Sequence, residues 1–255
     1  MTLPVVLVHG LRTSRTMWRA QQDALARAGV PALAVDLPGH GERRGERFTL
    51  DGAVAAVGDA VDAVGGRAFV VGLSLGGYVA IAHAARNPRQ VAGLLAASCC
   101  TRPLPALVGG WAVAARGIAR LPDRGASLNQ RMVDRVLTAD AAQDAAAGGF
   151  ALDVVDDVLR EMRAATPVAD LARVAAPVWL VNGRYDHFRG EERRFLRACR
   201  DGRLVVVPGA THLVSLVRPV GFTRALLVAH AEVAARTEVG GDRPVRSTSD
   251  SIVPR

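Results

Sequence analysis

The feature that most constrains this chain is a strand-like segment that runs directly into Gly-Leu-Ser-Leu-Gly at residues 72–76. The preceding residues, Phe69 to Val71, are apolar and of strand type. The following apolar segment, Tyr78 to Ala85, contains neither Pro nor Gly and predicts a helix. A sharp strand-to-helix turn needs small residues beside its tip, which the two glycines supply. Ser74 is therefore predicted to project from the tip as in a nucleophile elbow, provided that a base, an acid and an oxyanion hole occur elsewhere.

Apolar strand-like runs alternate with helix-like segments over most of the chain. The predicted strands are 5–8, 30–35, 69–71, 91–97, 178–181 and 204–207, and the predicted helices are 17–28, 49–64, 78–85, 191–199 and 219–236. The strand runs are continuously apolar, which is typical of strands buried on both faces. Thr49 is a predicted helix cap, and Gly65-Gly66 a predicted stop. The sequence therefore predicts an α/β fold with a mainly parallel sheet flanked by helices.

The alternation is interrupted once and ends before the C-terminus. Residues 101–166 carry no strand pattern; 107–121 is an amphipathic, Trp-bearing segment, and helices are predicted at 127–138 and 151–165. We interpret 101–166 as a helical insertion above the C-terminal edge of the sheet, between core segments 1–100 and 167–236. Residues 237–255 are polar and are expected to form a disordered tail.

The net charge of +8 does not indicate a nucleic-acid-binding protein. All 32 basic residues are arginine, which points to a compositional bias, and no basic block of five to eight residues occurs. The N-terminus lacks a charged region ahead of an apolar one, and no apolar run approaches the about 18 residues that span a bilayer. Three cysteines, two of them adjacent, imply no disulfide framework. We expect a cytoplasmic protein with no membrane span; the sequence does not indicate its oligomeric state.

A serine nucleophile needs a base, and the base needs an acid that orients it. His212 lies in the loop after the last predicted strand, and Asp186 follows the strand at 178–181, so both lie at the sheet edge where Ser74 is expected. Their chain order, Ser, Asp, His, is the one expected for this type of elbow.

The remaining histidines are His9, His40, His83, His187 and His230. His40 and His187 lie on loops at the sheet edge and are candidates for residues near the pocket, whereas His9, His83 and His230 are interpreted as structural. Asp36, in a Pro-Gly turn, is interpreted as structural too.

An acyl-transfer intermediate carries an oxyanion that needs two backbone N–H donors. One is expected from Leu75, directly after the serine. The other is expected from Leu11, in the loop after the first strand.

With these pieces in place, the sequence resembles the α/β-hydrolase superfamily. Within it, the chain looks like the small lidded serine hydrolases that include carrier-protein methyl ester esterases and 3-oxoadipate enol-lactonases. The matching segments are Leu7–Gly10, Asp36–Gly41, Gly72–Gly77, Gly183–Asp186 and Gly209–His212. One departure is Arg12, which stands where a small residue is frequent. Arg12 is open to two interpretations, a contact with an anionic substrate group or a solvated loop residue.

The resemblance implies a metal-free and cofactor-free serine hydrolase of carboxylic esters, thioesters or lactones, with residues 101–166 as the lid. Candidate pocket residues besides Arg12 are Leu11, Trp111, Met132, Phe150 and Leu213; core packing is an equal alternative for each. Several alternatives use the same triad: a carbon–carbon bond hydrolase, a perhydrolase, and an acyltransferase or cyclase of a biosynthetic pathway. A non-catalytic ligand-binding protein is the alternative from another class. An aspartate-nucleophile enzyme is disfavoured because residue 74 is Ser.

Overall fold

The computed structural model describes residues 2–241, with side chains as far as Thr237, and contains one six-stranded sheet. In chain order the strands are β1 (Val5–Val8), β2 (Ala32–Val35), β3 (Ala68–Leu73), β4 (Val91–Ala97), β5 (Val178–Gly183) and β6 (Gly202–Val207). All neighbouring strands pair in parallel, in the order β2-β1-β3-β4-β5-β6. The predicted α/β class with a parallel sheet is confirmed. Because all strands run the same way, the loops that follow them meet at one edge of the sheet.

Helices connect these strands. They are α1 (Arg19–Arg27), α2 (Leu50–Ala63), α3 (Leu75–Arg86), α4 (Pro105–Ala119), α5 (Ala126–Val136), α6 (Ala139–Ala146), α7 (Val155–Met162), α8 (Pro167–Arg173), α9 (Glu192–Ala198), α10 (Val214–Val217) and α11 (Pro219–Gly241). Short 3-10 turns occupy Arg15–Trp18, Gly41–Arg43 and His187–Arg189. The predicted cap of α2 is present, since the Thr49 side chain accepts a hydrogen bond from the Gly52 N–H at 3.0 Å.

The core consists of one apolar layer on each face of the sheet. Successive residues of β1 alternate between the layers: Val6 and Val8 pack with α2 and α3, while Val5 and Leu7 pack with α1 and α11. All four are fully buried. Full burial of such a side chain contributes about 1.5–3 kcal/mol, which explains why the strand sequences are continuously apolar.

Five helices, α4 to α8, lie between β4 and β5, and the first four of them fall within residues 101–166. A small apolar cluster of Val108, Ala112 and Leu159 joins α4 to α7. Helix α6 was not predicted, because its eight residues are mostly alanine and carry no clear apolar stripe. The helix predicted from residue 151 begins only at Val155, and the N–H of Ala151 bonds to the carbonyl of Arg12. The role and exact limits of the insertion at 101–166 stay predictions.

The last helix continues past the predicted end at Arg236. Helix α11 extends to Gly241, and the Thr237 hydroxyl donates to the Val233 carbonyl at 3.0 Å. Residues 237–241, which were predicted to belong to a disordered tail, are therefore part of α11, and residues 242–255 lie outside the described residues. Within residues 2–241, no helix combines the length and the apolarity needed to cross a membrane.

Candidate active site

Ser74 is the single residue between β3 and α3, and its backbone is in a strained conformation. It has φ 55 and ψ −114, in a region that non-glycine residues rarely adopt. Its N–H donates to the Ala97 carbonyl of β4 at 2.8 Å, and its carbonyl accepts from the Tyr78 N–H at 3.1 Å. Such strain costs about 1–3 kcal/mol and persists only where the surrounding structure enforces it. The predicted strand, sharp turn and helix are all present.

The two glycines of the turn are required by close backbone contacts. A Cβ atom at Gly72 would overlap the carbonyl group of Gly76, and one at Gly76 would overlap the carbonyl groups of Val8 and His9. The second contact places the start of α3 directly against the loop after β1. Any larger residue at either glycine would force the strand and the helix apart.

A continuous chain of hydrogen bonds joins the predicted nucleophile, base and acid. The His212 Nε2 atom lies 2.9 Å from the Ser74 hydroxyl oxygen. The other ring nitrogen, Nδ1, lies 2.9 Å from Oδ1 of Asp186. An ionised carboxylate only accepts, so Nδ1 carries the proton and Nε2 is free to accept from the serine. Residues separated by 138 positions along the chain thus form one hydrogen-bonded unit.

The Asp186 carboxylate is buried and kept in its ionised form by hydrogen bonds. Burial alone would raise the pKa of Asp186, but the hydrogen bond and charge of His212, the Phe188 N–H at 2.8 Å and the Ser98 hydroxyl outweigh it and lower the pKa. Asp186 Oδ2 and Ser98 Oγ are both buried without a partner in normal hydrogen-bond geometry. Ser98, with φ 53, follows β4 and is therefore close to the acid.

Aromatic rings lie beside His212, the predicted base. The Phe188 ring centroid lies 4.7 Å from that of His212, and Trp111 of α4 stacks on Phe188 at 5.1 Å. The His187 ring lies 4.9 Å from His212 and is largely exposed. Burial lowers the pKa of His187, and the neighbouring His212 lowers it further. A stack therefore extends from the helical insertion to the base.

Sequence reasoning missed Phe188 and Ser98. Phe188 lies two residues after Asp186, where its N–H caps the carboxylate, but a single Phe in a loop carries no periodic signal. Ser98 had a usable signal, since it is a polar residue directly after a fully buried strand of the predicted sheet.

Three possible metal-ligand side chains lie together here. Donor atoms of Asp186, His187 and His212 fall within 4.8 Å of one another. The Asp186 Oδ1 atom, however, already accepts from His212 and from the Phe188 N–H, and His212 Nε2 faces Ser74. A metal ion would have to displace these hydrogen bonds, so we assign no metal or cofactor to this cluster.

The loop after β1 lies against Ser74. A Cβ atom built on Gly10 would be 3.6 Å from the Ser74 Cβ and 3.5 Å from the Leu73 carbonyl oxygen. Leu11 follows and is half-buried against the core. Leu75 is the first residue of α3, where a backbone N–H has no acceptor within its own helix. Both amides predicted to bind the oxyanion thus lie on segments that meet at the serine.

The remaining histidines outside this cluster have structural contacts. His9 donates from Nδ1 to the Gly10 carbonyl at 2.8 Å and accepts the Leu37 N–H at 3.0 Å. Burial, together with the nearby His40, lowers the pKa of His9 to about 3. His83 is buried within α3, and His230 bonds to the Leu3 carbonyl at 2.8 Å.

His40 and Asp36 belong to the turn after β2. His40 is buried and bonds to the Pro38 carbonyl at 3.0 Å, so the structure does not bring it to Ser74. Asp36 is buried and accepts hydrogen bonds from the N–H groups of Arg15 at 2.7 Å and Glu42 at 3.0 Å.

The predicted pocket residues are distributed unevenly. Trp111 reaches the base through Phe188, and Leu213 directly follows His212 and is half-buried. Phe150 lines a cavity of about 420 Å³ between α5 and the segment after α6, although Ser74 and His212 are not among its lining residues. Met132 is 50% exposed on α5 and belongs to none of the apolar clusters, so it is not supported as a pocket wall. Arg12 is half-buried beside Leu11.

A family model described as the alpha/beta hydrolase family matches residues 5–225. Among curated proteins, a pimeloyl-[acyl-carrier protein] methyl ester esterase from Neisseria meningitidis is 40% identical over 91 residues, which is 35% of this chain and 34% of that protein. A 2-hydroxy-6-oxononadienedioate/2-hydroxy-6-oxononatrienedioate hydrolase from Burkholderia vietnamiensis is 32% identical over 137 residues, which is 50% of this chain and 43% of that protein. The matches thus span less than half the length of either relative.

Solved structures resemble the chain over almost its whole length. A thermophilic esterase from Thermogutta terrifontis superposes with a TM-score of 0.74 at 24% identity, covering 92% of this chain and 91% of that one. The enol-lactonase from Burkholderia xenovorans LB400 gives 0.76 at 22% identity, covering 91% and 92%. At these identities the likeness concerns the fold.

Proposed function

The chain belongs to the alpha/beta hydrolase family, and we propose that it is a serine hydrolase that cleaves a carboxylic ester, thioester or lactone. The observation that carries the proposal is the hydrogen-bonded chain from Ser74 through His212 to Asp186, with 2.9 Å at each step. The strained elbow adds support, because strain at an exposed nucleophile is typical of a catalytic serine.

The proposed reaction has two steps. His212 Nε2 takes the Ser74 proton as the hydroxyl oxygen attacks the substrate carbonyl, and the N–H groups of Leu11 and Leu75 bind the oxyanion. His212 then donates that proton to the leaving alcohol, thiol or ring oxygen. Water, deprotonated by His212, attacks the acyl-enzyme, and collapse of the second intermediate returns the proton to Ser74 and releases the acid. Asp186 holds the imidazole in one tautomer and stabilises its charged form throughout.

We further propose that residues 101–166 act as a lid over this site. The Trp111–Phe188 stack supports this role, because it connects α4 to the ring beside the base. The hydrogen bond from the Ala151 N–H to the Arg12 carbonyl also supports this role, because it joins the insertion to the loop after β1. The expected partner is a small-molecule substrate, and the cytoplasm is the proposed location.

Hydrolysis of p-nitrophenyl esters of increasing acyl length, alongside a lactone series, tests the proposal. Wild-type protein should release a burst of p-nitrophenol equal to the enzyme concentration, and Ser74→Ala should remove both the burst and the turnover. Ser215→Ala, which alters a buried serine of α10 outside the site, is the matched control and should retain activity. Capture of the acyl group by an added alcohol or amine in preference to water would favour an acyltransferase. Tight ligand binding without turnover would favour a binding protein.

A further inference from the structure

Arg12 has an unfavourable backbone conformation for its residue type. Its φ is 70, in the left-handed region where a Cβ atom crowds the backbone at a cost of about 1–2 kcal/mol. Glycine would adopt this conformation without that cost. An arginine in such a position is a starting point for a functional hypothesis, because its side chain does not serve the local backbone.

Arg12 also differs from the other half-buried arginines of residues 2–241. The other five are Arg15, Arg43, Arg102, Arg189 and Arg203, and each forms an ion pair with a carboxylate at 3.1 Å or less. Arg12 makes no ion pair and no side-chain hydrogen bond within the part of the chain that the structure describes. Burial lowers the pKa of Arg12, and no neighbouring acid raises it.

This unpaired charge is costly. A guanidinium remains charged in a protein and has five N–H donors, and the half-burial of Arg12 removes part of their contact with water. Buried charges are normally paired, as the other five arginines are. An anion from outside the chain would supply the missing partner.

The backbone of Arg12 belongs to the loop that lies against Ser74. Gly10, two residues earlier, is the residue whose added Cβ would lie 3.6 Å from the Ser74 Cβ. The Arg12 carbonyl accepts from the Ala151 N–H at 2.9 Å, and the residues on either side of Ala151 line the cavity of about 420 Å³. Arg12 therefore lies where the loop beside the reacting carbonyl meets the helical insertion.

We propose that Arg12 binds a carboxylate on the acyl part of the substrate, so that the enzyme prefers acyl groups that end in a negative charge. The inference rests on the proposed function, because the acyl group is the part attached to Ser74. Half-esters of short dicarboxylic acids are substrates of this kind. An arginine and a carboxylate form two parallel charge-assisted hydrogen bonds, which give orientation as well as affinity.

The first test compares half-methyl esters of succinate, glutarate and adipate with their neutral amide isosteres. Wild-type protein should prefer the charged member of at least one pair by about 10- to 100-fold in kcat/KM, the range expected for hydrogen bonds to a charged group. Arg12→Gln should remove the preference by raising KM for the charged ester, with little change for the neutral one. Arg27→Gln, which removes an exposed arginine of α1 that has no ion pair within residues 2–241, controls for net charge and should keep the preference.

The second test does not depend on turnover. Calorimetric titration of Ser74→Ala protein with glutarate should detect binding, and adding Arg12→Gln should weaken it by about 10- to 100-fold. This arm separates the two proposals, because glutarate can bind at Arg12 even if Ser74 is not a nucleophile.

A stability measurement excludes a structural role for Arg12. Arg12→Gly should raise Tm, because it removes both the strained φ and the unpaired charge, and it should lose the preference for charged esters just as Arg12→Gln does. A lowered Tm with unchanged selectivity would mean that the side chain serves folding. Equal preference in wild-type and Arg12→Gln proteins, together with equal affinity for glutarate, would overturn the proposal.

Discussion

The ring of Phe188 lies against the ring of His212, with 4.7 Å between centroids and 35° between planes. Phe188 also stacks on Trp111, with 5.1 Å between the ring centroids. The imidazole of the base is thus held by an aromatic neighbour on its face and by Asp186 at Nδ1. We expect the carboxylate to fix the rotation of the His212 ring within its own plane, and Phe188 to limit the tilt of that ring.

Replacing Phe188 with Ala should lower kcat on a p-nitrophenyl ester by about 10-fold, because small misplacements of a catalytic group are costly. Phe188→Leu, which keeps an apolar contact with His212, should recover most of the loss. Steady-state kinetics and Tm for both variants distinguish misplacement of the base from unfolding. An unchanged kcat in Phe188→Ala would show that the ring does not position His212.

Replacing Asp186 with Asn should reduce kcat by about 10⁴-fold while the protein stays folded, because an amide favours the wrong imidazole tautomer. Asp36→Asn is the matched control, since Asp36 is also a buried carboxylate at the end of a strand. Its partners are the Arg15 guanidinium and two backbone N–H groups, so Asp36→Asn should lower Tm and leave kcat at low temperature near the wild-type value. If Asp36→Asn lost kcat by this factor and Asp186→Asn kept it, Asp36 would be the acid.

Gly76→Ala should destabilise the protein by about 3 kcal/mol or more, because the new Cβ would overlap the backbone of Val8 and His9, which has no room to move. Gly110→Ala in α4 is the control, since a Cβ there meets nothing within 4 Å. That change should stabilise by about 0.5–1 kcal/mol, the usual difference between Ala and Gly in a helix. Urea unfolding of the two variants measures both effects, and equal stability would contradict the close contact at Gly76.

His9 predicts a pH dependence of stability. Burial, and further His40, lower the pKa of His9 from its ordinary value of 6.5 to about 3 in the folded protein. Between these values the unfolded chain binds a proton that the folded chain does not. The free energy of unfolding therefore rises with pH in this window, and falls by about 1.4 kcal/mol per pH unit as the solution is acidified from 6.5 towards 3.

His9→Gln should remove this one contribution, giving a shallower loss of stability between pH 6.5 and 4 than in wild-type protein. It should also be less stable at pH 7, because it disturbs the bonds to Gly10 and Leu37. Denaturant unfolding at several pH values measures both changes. Parallel pH profiles for the two proteins would mean that His9 is already charged when folded.

The sheet was predictable because each predicted strand is a continuous apolar run, and the candidate site because Ser74, Asp186 and His212 each come after such a run. Parallel strands bring these three positions to one edge whatever their separation in the chain. The order in which the strands pair was not needed for this prediction, because their common direction is sufficient.

The parts that were not predicted depend on tertiary contacts. Phe188 contacts both Trp111 and His212, and Ala151 lies outside its expected helix with its N–H bonded to the Arg12 carbonyl. Met132 had the size and polarity of a pocket residue, but it lies on the exposed face of α5. Periodicity identifies an apolar face without showing which neighbour covers it.

Labelling with a fluorophosphonate probe, followed by mass spectrometry of the modified peptide, tests the central claim most directly. The probe forms a bond to a serine oxygen only where a base and an oxyanion hole activate it. We expect labelling at Ser74 in wild-type and Ser215→Ala proteins, and none in Ser74→Ala or His212→Ala. Folded wild-type protein that stays unlabelled, or labelling that persists without His212, would contradict the assignment of Ser74 as a nucleophile activated by His212.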